Sequence, residues 1–220
     1  MASPSSKKST IWFDRDGHEF LSIYTESETP SNRAIIVVHG TGIHPDWEQV
    51  VKPVRVEMTT RGWNTLSIQM PILANEAEYK DYVAVYPEVP GRFESAIAQL
   101  QELGMKEIVI VAHSQGATMS SYFLSRNPHP IKAFVAIGMG AAQPDSHLNS
   151  AESLKTINIP VLDIYGSEDL ESVLQTAQAR QQGAAHNDAY KQVITEGSDH
   201  FYEGYEEQLI QSIDAWLLDL

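Results

Sequence analysis

The chain has 220 residues, of which 42% are hydrophobic, so it can form one domain with a full core and is short for two. Its 29 acidic and 15 basic side chains give a formal net charge of −14, which argues against nucleic acid and anionic membrane surfaces as partners. The chain contains no cysteine, which excludes disulfides, thiolate metal ligands and a cysteine nucleophile.

The first ten residues are small, polar and basic, and we expect them to be disordered, with residues 11–220 forming a single domain. They have neither the apolar core of a signal peptide nor a membrane span. We therefore expect a soluble protein without an integral membrane segment. It would be cytoplasmic by default, and periplasmic or secreted if a signal peptide has been removed. Two short strands are predicted from Ile11 to Thr25, around the turn dipeptide Asp16-Gly17.

The remaining chain alternates between apolar runs and segments with helical spacing, which predicts an α/β domain. Buried strands are predicted at Ala34–Val38, Asn64–Met70, the first half of Ile108–Ser125, Ala133–Met139, Ile159–Tyr165 and Tyr190–Thr195. Helices are predicted at Trp47–Arg61, at Arg92–Leu103, in the second half of Ile108–Ser125, after Asp169, and at the end of the chain, where Leu209 to Leu220 carry an apolar stripe.

The segment from Pro71 to Pro90 is punctuated by prolines and carries three tyrosines without a convincing period. It has two interpretations of equal weight. In the first, residues 71–90 form a small cap over a functional site. In the second, they form a solvated loop with a short helix.

The most informative motif is the pentapeptide Ala112-His113-Ser114-Gln115-Gly116, which lies between a predicted strand and a predicted helix. A chain that turns sharply from strand to helix crowds the positions two before and two after the turning serine, so both must be small. Ala112 and Gly116 meet this requirement. The turn would hold the Ser114 hydroxyl at the strand tip, near the positive end of the helix, as in a nucleophile elbow.

With this elbow the chain resembles the α/β-hydrolase superfamily. The resemblance implies an α/β-hydrolase fold, with a mostly parallel central sheet flanked by helices and a short lid or none. It also implies a catalytic triad in the chain order Ser, Asp or Glu, His. Carried onto this sequence, the triad is Ser114, Asp169 and His200. Asp163 and Glu168 are rival acids, and the alternative role of Asp169 is to cap the helix that follows it.

The same resemblance assigns a role to the loop His39-Gly40-Thr41-Gly42, which follows the strand Ala34–Val38. In the superfamily this loop and the residue after the nucleophile supply backbone N–H groups to an oxyanion hole. On this chain the donors would be the amides of Thr41 and Gln115. The alternative is that Gly40 and Gly42 only form a turn.

Next to this loop, His44 and Trp47 are candidates for a substrate pocket, together with Met139. A methionine or tryptophan at such positions is more often a plain core residue. We interpret Asp46 as the cap of the helix that begins near Trp47. No metal or cofactor is expected, because the histidines and acids of this stretch match no metal-binding spacing. The stretch from His39 to Trp47, with Gly62–Pro71, is similar to a little-characterised bacterial branch of the superfamily.

These residues together predict a serine hydrolase that cleaves a carboxylic ester or thioester of small-molecule size through an acyl-enzyme intermediate. A catalytically silent binding protein with the same fold is the alternative, and peptidase or lyase activity on this scaffold stays open. Because a histidine base must be unprotonated, turnover is expected to rise through roughly pH 6 to 8. The natural substrate and the oligomeric state are left open.

Overall fold

The computed structural model describes residues 7–15, 17–74, 76–141 and 145–220. Its strands are β1 (Lys8–Arg15), β2 (His18–Thr25), β3 (Arg33–Val38), β4 (Asn64–Ile68), β5 (Glu107–His113), β6 (Phe134–Ile137), β7 (Val161–Glu168) and β8 (Tyr190–Asp199). Its helices are α1 (Val51–Glu57), α2 (Val89–Glu102), α3 (Gln115–Arg126), α4 (Ser150–Leu154), α5 (Glu171–Leu174), α6 (Ala177–Gly183) and α7 (Glu206–Leu218), with 3₁₀ helices at Met58–Arg61 and Tyr79–Glu88.

The described strands form one eight-stranded sheet in the order β1-β2-β4-β3-β5-β6-β7-β8. β1 pairs antiparallel with β2, and β2 pairs antiparallel with β4. All neighbouring strands from β4 to β8 are parallel. The predicted mostly parallel sheet is therefore confirmed. Its carboxyl ends meet along one edge, where α/β proteins commonly bind ligands.

The central strands are apolar throughout because both faces of the sheet are covered. One face packs under α2 and α3, whose Phe93 and Phe123 rings stack with centroids 4.6 Å apart. The other face packs under α1 and α7, which contribute Val54 and Ile213 to a second apolar layer. This arrangement confirms the predicted flanking helices and fixes β5 in the middle of the molecule.

The amino-terminal prediction needs a correction. β1 begins at Lys8 and pairs with β2, with Lys8 opposite Thr25. Residues 8–10, which we expected to be disordered, are therefore strand, because the edge of the sheet offers them hydrogen-bonding partners. Residues 1–6 and Asp16 lie outside the described part of the chain. The hairpin turn is present, with Gly17 at a φ of 80°.

The helix predicted at Trp47–Arg61 is shorter than expected, and Asp46 does not cap it. α1 begins at Val51, after Val50 with a φ of 57°. The Asp46 carboxylate instead accepts hydrogen bonds from Arg55, which is buried, and from Lys8. A salt bridge to a buried guanidinium is stronger than a contact with one backbone amide, which explains why the tertiary contact prevails.

The segment 71–90 contains a short helix, as the second interpretation expects, but two of its tyrosines are buried, and that the segment caps a functional site stays a prediction. Its 3₁₀ helix runs directly into α2, and Tyr82 and Tyr86 are buried in the core beneath it. In the connection between β6 and β7, the described residues form only the five-residue helix α4, consistent with a short lid or none. Residues 142–144 of that connection lie outside the described part.

Candidate active site

Three polar residues meet at the carboxyl edge of the sheet. Ser114 follows β5, Asp169 follows β7, and His200 follows β8. The last two strands are longer than predicted and carry an irregularity in their pairing between Gly166 and Glu168. These longer strands bring Asp169 and His200 up to the level of the serine.

The turn at Ser114 has the geometry that the pentapeptide predicts. Ser114 has φ 55° and ψ −126°, a strained conformation for a residue with a side chain. A Cβ on Gly116 would lie 2.2 Å from the carbonyl oxygen of His39, and one on Gly40 would lie 2.8 Å from the Ser114 Cβ. Only glycine allows the loop after β3 to approach the start of α3 this closely.

The three side chains form a continuous hydrogen-bonded chain. The His200 Nε2 lies 2.9 Å from the Ser114 Oγ, and its Nδ1 lies 2.5 Å from the Asp169 Oδ1. A carboxylate can only accept, so Nδ1 donates to Asp169 and Nε2 is left to accept the serine proton. The Asp169 carboxylate is also held by the amides of Leu170 and Gly166, at 2.7 and 3.4 Å.

The two rival acids lie elsewhere. The Asp163 carboxylate lies within β7 and is fully buried, and it accepts hydrogen bonds from Arg180, Tyr190 and Gln192. Glu168 is exposed. Of the three candidate acids, Asp169 is the one that contacts His200, and its side chain is 0% exposed.

Two buried histidines form hydrogen bonds that hold the loops around the site. The sequence did not predict this role for either of them. The Nε2 of His39 accepts the amide of Met70, and its Nδ1 donates to the Gly40 carbonyl, which fixes the loop after β3 against the end of β4. The His113 Nε2 donates to the His200 carbonyl oxygen. Burial lowers the pKa of His39 to about 4 and that of His113 to about 3, so both rings are neutral near pH 7.

A cavity of about 410 Å³ opens beside the serine. Ser114 and His200 line it, and so do Thr41 and Gln115. The Thr41 hydroxyl donates to the Gln115 side-chain oxygen at 2.6 Å, which ties the loop after β3 to the start of α3. Gln115 is the first residue of α3, so its backbone N–H has no acceptor within the helix.

The predicted pocket residues His44, Trp47 and Met139 do not line this cavity, which corrects our assignment. Met139 is fully buried in the core, because β6 ends at Ile137 and the chain turns inward there. His44 is exposed and packs edge-on against Trp47, whose ring faces the apolar layer under α1 and α7. Their place is taken by Ile43, Tyr79, Leu148, Leu170, Val173 and Phe201.

The doubly covered parallel sheet, the strand-turn-helix at Ser114 and the chain of three side chains define an α/β-hydrolase-fold protein. The family model described as "Protein of unknown function (DUF3530)" matches residues 3–90 and 83–219, and the chain belongs to that family. Among curated proteins, it is similar to mouse Protein ABHD14A, with 27% identity over 137 residues. That match covers 61% of this chain and 51% of the mouse protein, so the chain spans about half the length of the curated relative.

Solved structures show the same fold at low identity. Est1E from Butyrivibrio proteoclasticus superimposes with a TM-score of 0.74 at 14% identity, over 96% of this chain and 98% of that one. The Pyrococcus furiosus esterase Pf2001 gives 0.77 at 15% identity, covering 98% and 93%. Dienelactone hydrolase from Anabaena variabilis gives 0.75 at 17% identity, covering 98% and 99%.

The structure also bears on membrane crossing. Within the described residues, no helix has both the length and the apolar run that crossing a bilayer requires.

Proposed function

We propose that this protein is a serine hydrolase that cleaves a carboxylic ester or thioester through an acyl-enzyme intermediate. The observation that carries the proposal is the hydrogen-bonded chain from Ser114 through His200 to Asp169, which lies beside a cavity. Structural neighbours that are named esterases or hydrolases support the same class of reaction.

In this mechanism His200 accepts the proton of Ser114 as the serine oxygen attacks the substrate carbonyl. Asp169 keeps the imidazole in the tautomer that leaves Nε2 free, and it stabilises the imidazolium that forms. His200 then gives the proton to the leaving group, and the ester bond breaks. A water molecule, activated by the same histidine, releases the acyl group from the serine.

The negative oxygen of the tetrahedral intermediate would lie between the backbone amides of Thr41 and Gln115. Each donor of this kind contributes on the order of 3 kcal/mol to transition-state stabilisation. The hydrogen bond from the Thr41 hydroxyl to the Gln115 side-chain oxygen supports the proposal. It ties the loop after β3 to the start of α3 before substrate binds. The close approach of Gly40 to Ser114 also supports the proposal, because Thr41 is the next residue along the chain.

The test is covalent labelling of the intact protein with a fluorophosphonate probe, together with hydrolysis of p-nitrophenyl esters. We expect one probe per chain, lost in Ser114→Ala and retained in the control Ser95→Ala, whose hydroxyl bonds within α2. Labelling that persists in Ser114→Ala would contradict the assignment of the nucleophile. Well-folded protein that neither reacts with the probe nor hydrolyses esters would indicate a silent binding protein.

Gly138 gives a second expected result, because it lies directly beneath the histidine. A Cβ at this position would be 2.9 Å from the His200 Cε1 and Nδ1 and 3.3 Å from the Asp169 Oδ2. We expect Gly138→Ala to displace the imidazole and to lower kcat/KM by about 100-fold, as a misplacement of about 1 Å can do. The measurement is ester hydrolysis with a parallel thermal melt.

Gly104→Ala is the matched control for this substitution. Gly104 has a φ of 83°, similar to the 58° of Gly138, but a Cβ there would meet nothing within 4 Å. Both variants carry the strain of a side chain at positive φ, roughly 1 kcal/mol, and only one of them clashes with the histidine. Equal activities in the two variants would show that the space under His200 has no role in turnover.

A further inference from the structure

The cavity beside Ser114 is walled by aliphatic side chains from separate parts of the chain. Ile43 comes from the loop after β3, Leu148 from the segment before α4, and Val173 from α5, and each is at most 8% exposed. Leu170 also lines the cavity but is 51% exposed, so it lies at the mouth. An apolar substrate group that fills this space leaves water for an apolar surface, which favours binding.

Apart from the amides of Thr41 and Gln115, which are proposed to hold the oxyanion, the described walls of the cavity carry no basic side chain other than histidine. Among the described residues that line the cavity, there is no lysine, arginine, aspartate or glutamate. Residues 142–144, outside the described part, are alanine, glutamine and proline, so they add no charge. The lining residue His113 is neutral because burial holds its pKa at about 3. A carboxylate or phosphate placed here would lose hydration without gaining a cation, which is strongly unfavourable.

The space in the cavity is bordered on one side by Gly140. The cavity volume of about 410 Å³ corresponds to on the order of 14 groups of the size of a water molecule, so it has room for a side group of several carbon atoms. Gly140 lines the cavity, and its carbonyl is fixed by the Ser150 hydroxyl at 2.8 Å. A Cβ there would have only the Ser172 carbonyl oxygen within 4 Å, at 3.8 Å, so a larger side chain would occupy free cavity space.

We infer that the substrate is an uncharged ester with an apolar side group that enters this cavity, and that the absence of a side chain at Gly140 leaves room for that group. This inference rests on the proposed hydrolase function. It excludes esters whose side group in the cavity ends in a carboxylate or phosphate.

The test compares matched pairs of esters that differ only in a terminal carboxylate. For the acyl side the pair is p-nitrophenyl butyrate and p-nitrophenyl succinate, and for the alcohol side it is phenyl acetate and 4-carboxyphenyl acetate. In the pair whose varied group enters the cavity, we expect kcat/KM to favour the neutral ester by about 100-fold. If neither pair discriminates while the fluorophosphonate probe labels Ser114, the inference is overturned and the hydrolase stands. If neither probe nor ester reacts, both are overturned.

Two substitutions locate the effect in this cavity. Gly140→Val should lower kcat/KM for the butyrate about tenfold more than it lowers kcat/KM for the acetate, with Gly140→Ala in between. Ser172→Lys places a cation on an exposed lining residue and should raise succinate turnover relative to butyrate by about tenfold.

The control for the added charge is Gln182→Lys, on an exposed position of α6 outside the cavity, which should leave the ratio unchanged. If Ser172→Lys and Gln182→Lys changed the ratio of succinate to butyrate turnover equally, the uncharged lining of the cavity would not be what discriminates against the carboxylate. Butyrate turnover that is insensitive to Gly140→Val in folded protein would refute the role of Gly140.

Discussion

Replacing His200 by alanine is expected to lower kcat for ester hydrolysis by about 10⁶-fold, as removal of the base does in serine proteases. Without the imidazole, Ser114 keeps its proton and remains a weak nucleophile at neutral pH. Asp169→Asn should cost about 10⁴-fold, because the NH₂ group of the amide can donate to Nδ1 and so favours the tautomer protonated at Nε2, which cannot accept the serine proton. The double variant Ser114→Ala/His200→Ala should be no slower than either single variant, since the two residues act as a unit.

These variants are best compared by active-site titration and by steady-state turnover of one p-nitrophenyl ester. His186→Ala is the matched control, because His186 is an exposed histidine in the turn after α6. It should keep full activity. If His200→Ala retained a tenth of the activity of the natural chain, another base would have to activate the serine. If Asp169→Asn were fully active, the bond at 2.5 Å between Asp169 and His200 would have no catalytic role.

The parts of the site that the sequence could predict depend on short-range rules. The elbow follows from steric requirements within five residues, and the structure shows Ser114 strained and Gly116 packed against a backbone carbonyl. The mostly parallel sheet follows from apolar runs that alternate with helical spacing. Asp169 and His200 were implied by the resemblance to the superfamily, and both lie beside the serine because they follow parallel strands that end at one edge of the sheet.

The parts that the sequence could not predict depend on which way a chain turns after its strand. Met139 and Trp47 have the residue types of a substrate pocket, yet both face apolar layers, and Leu148 and Val173 take their places. No local period distinguishes these outcomes. The role of the His39 ring was hidden for the same reason, since its acceptor nitrogen is satisfied by the end of β4, 31 positions further along the chain.

The largest stability effect is expected at an ion pair beneath the site. The side chains of Asp163 and Arg180 are both 0% exposed, and their Oδ2 and Nε lie 2.7 Å apart. Tyr190 donates to the same carboxylate oxygen at 2.6 Å, and burial together with this carboxylate raises the pKa of Tyr190. Arg180 also donates to the Val173 carbonyl and the Thr176 hydroxyl, both at 2.9 Å. The pair therefore joins β7 to the segment that forms one wall of the cavity.

Arg180→Met should lower the free energy of unfolding by about 3 to 5 kcal/mol, because it leaves the Asp163 charge buried without its partner. For a domain of this size that loss corresponds to a fall in Tm of about 6 to 20 °C. Lys155→Met is the matched control, since its pair with Glu152 is about half exposed and contributes at most about 1 kcal/mol.

The double variant Asp163→Asn/Arg180→Met should recover part of the loss, because it removes the unpaired charge. If Arg180→Met and Lys155→Met had the same Tm, water or another donor would have to satisfy the Asp163 carboxylate in place of the Arg180 guanidinium. A raised KM at unchanged kcat in folded Arg180→Met would place the residual effect at Val173 in the cavity wall rather than at the nucleophile.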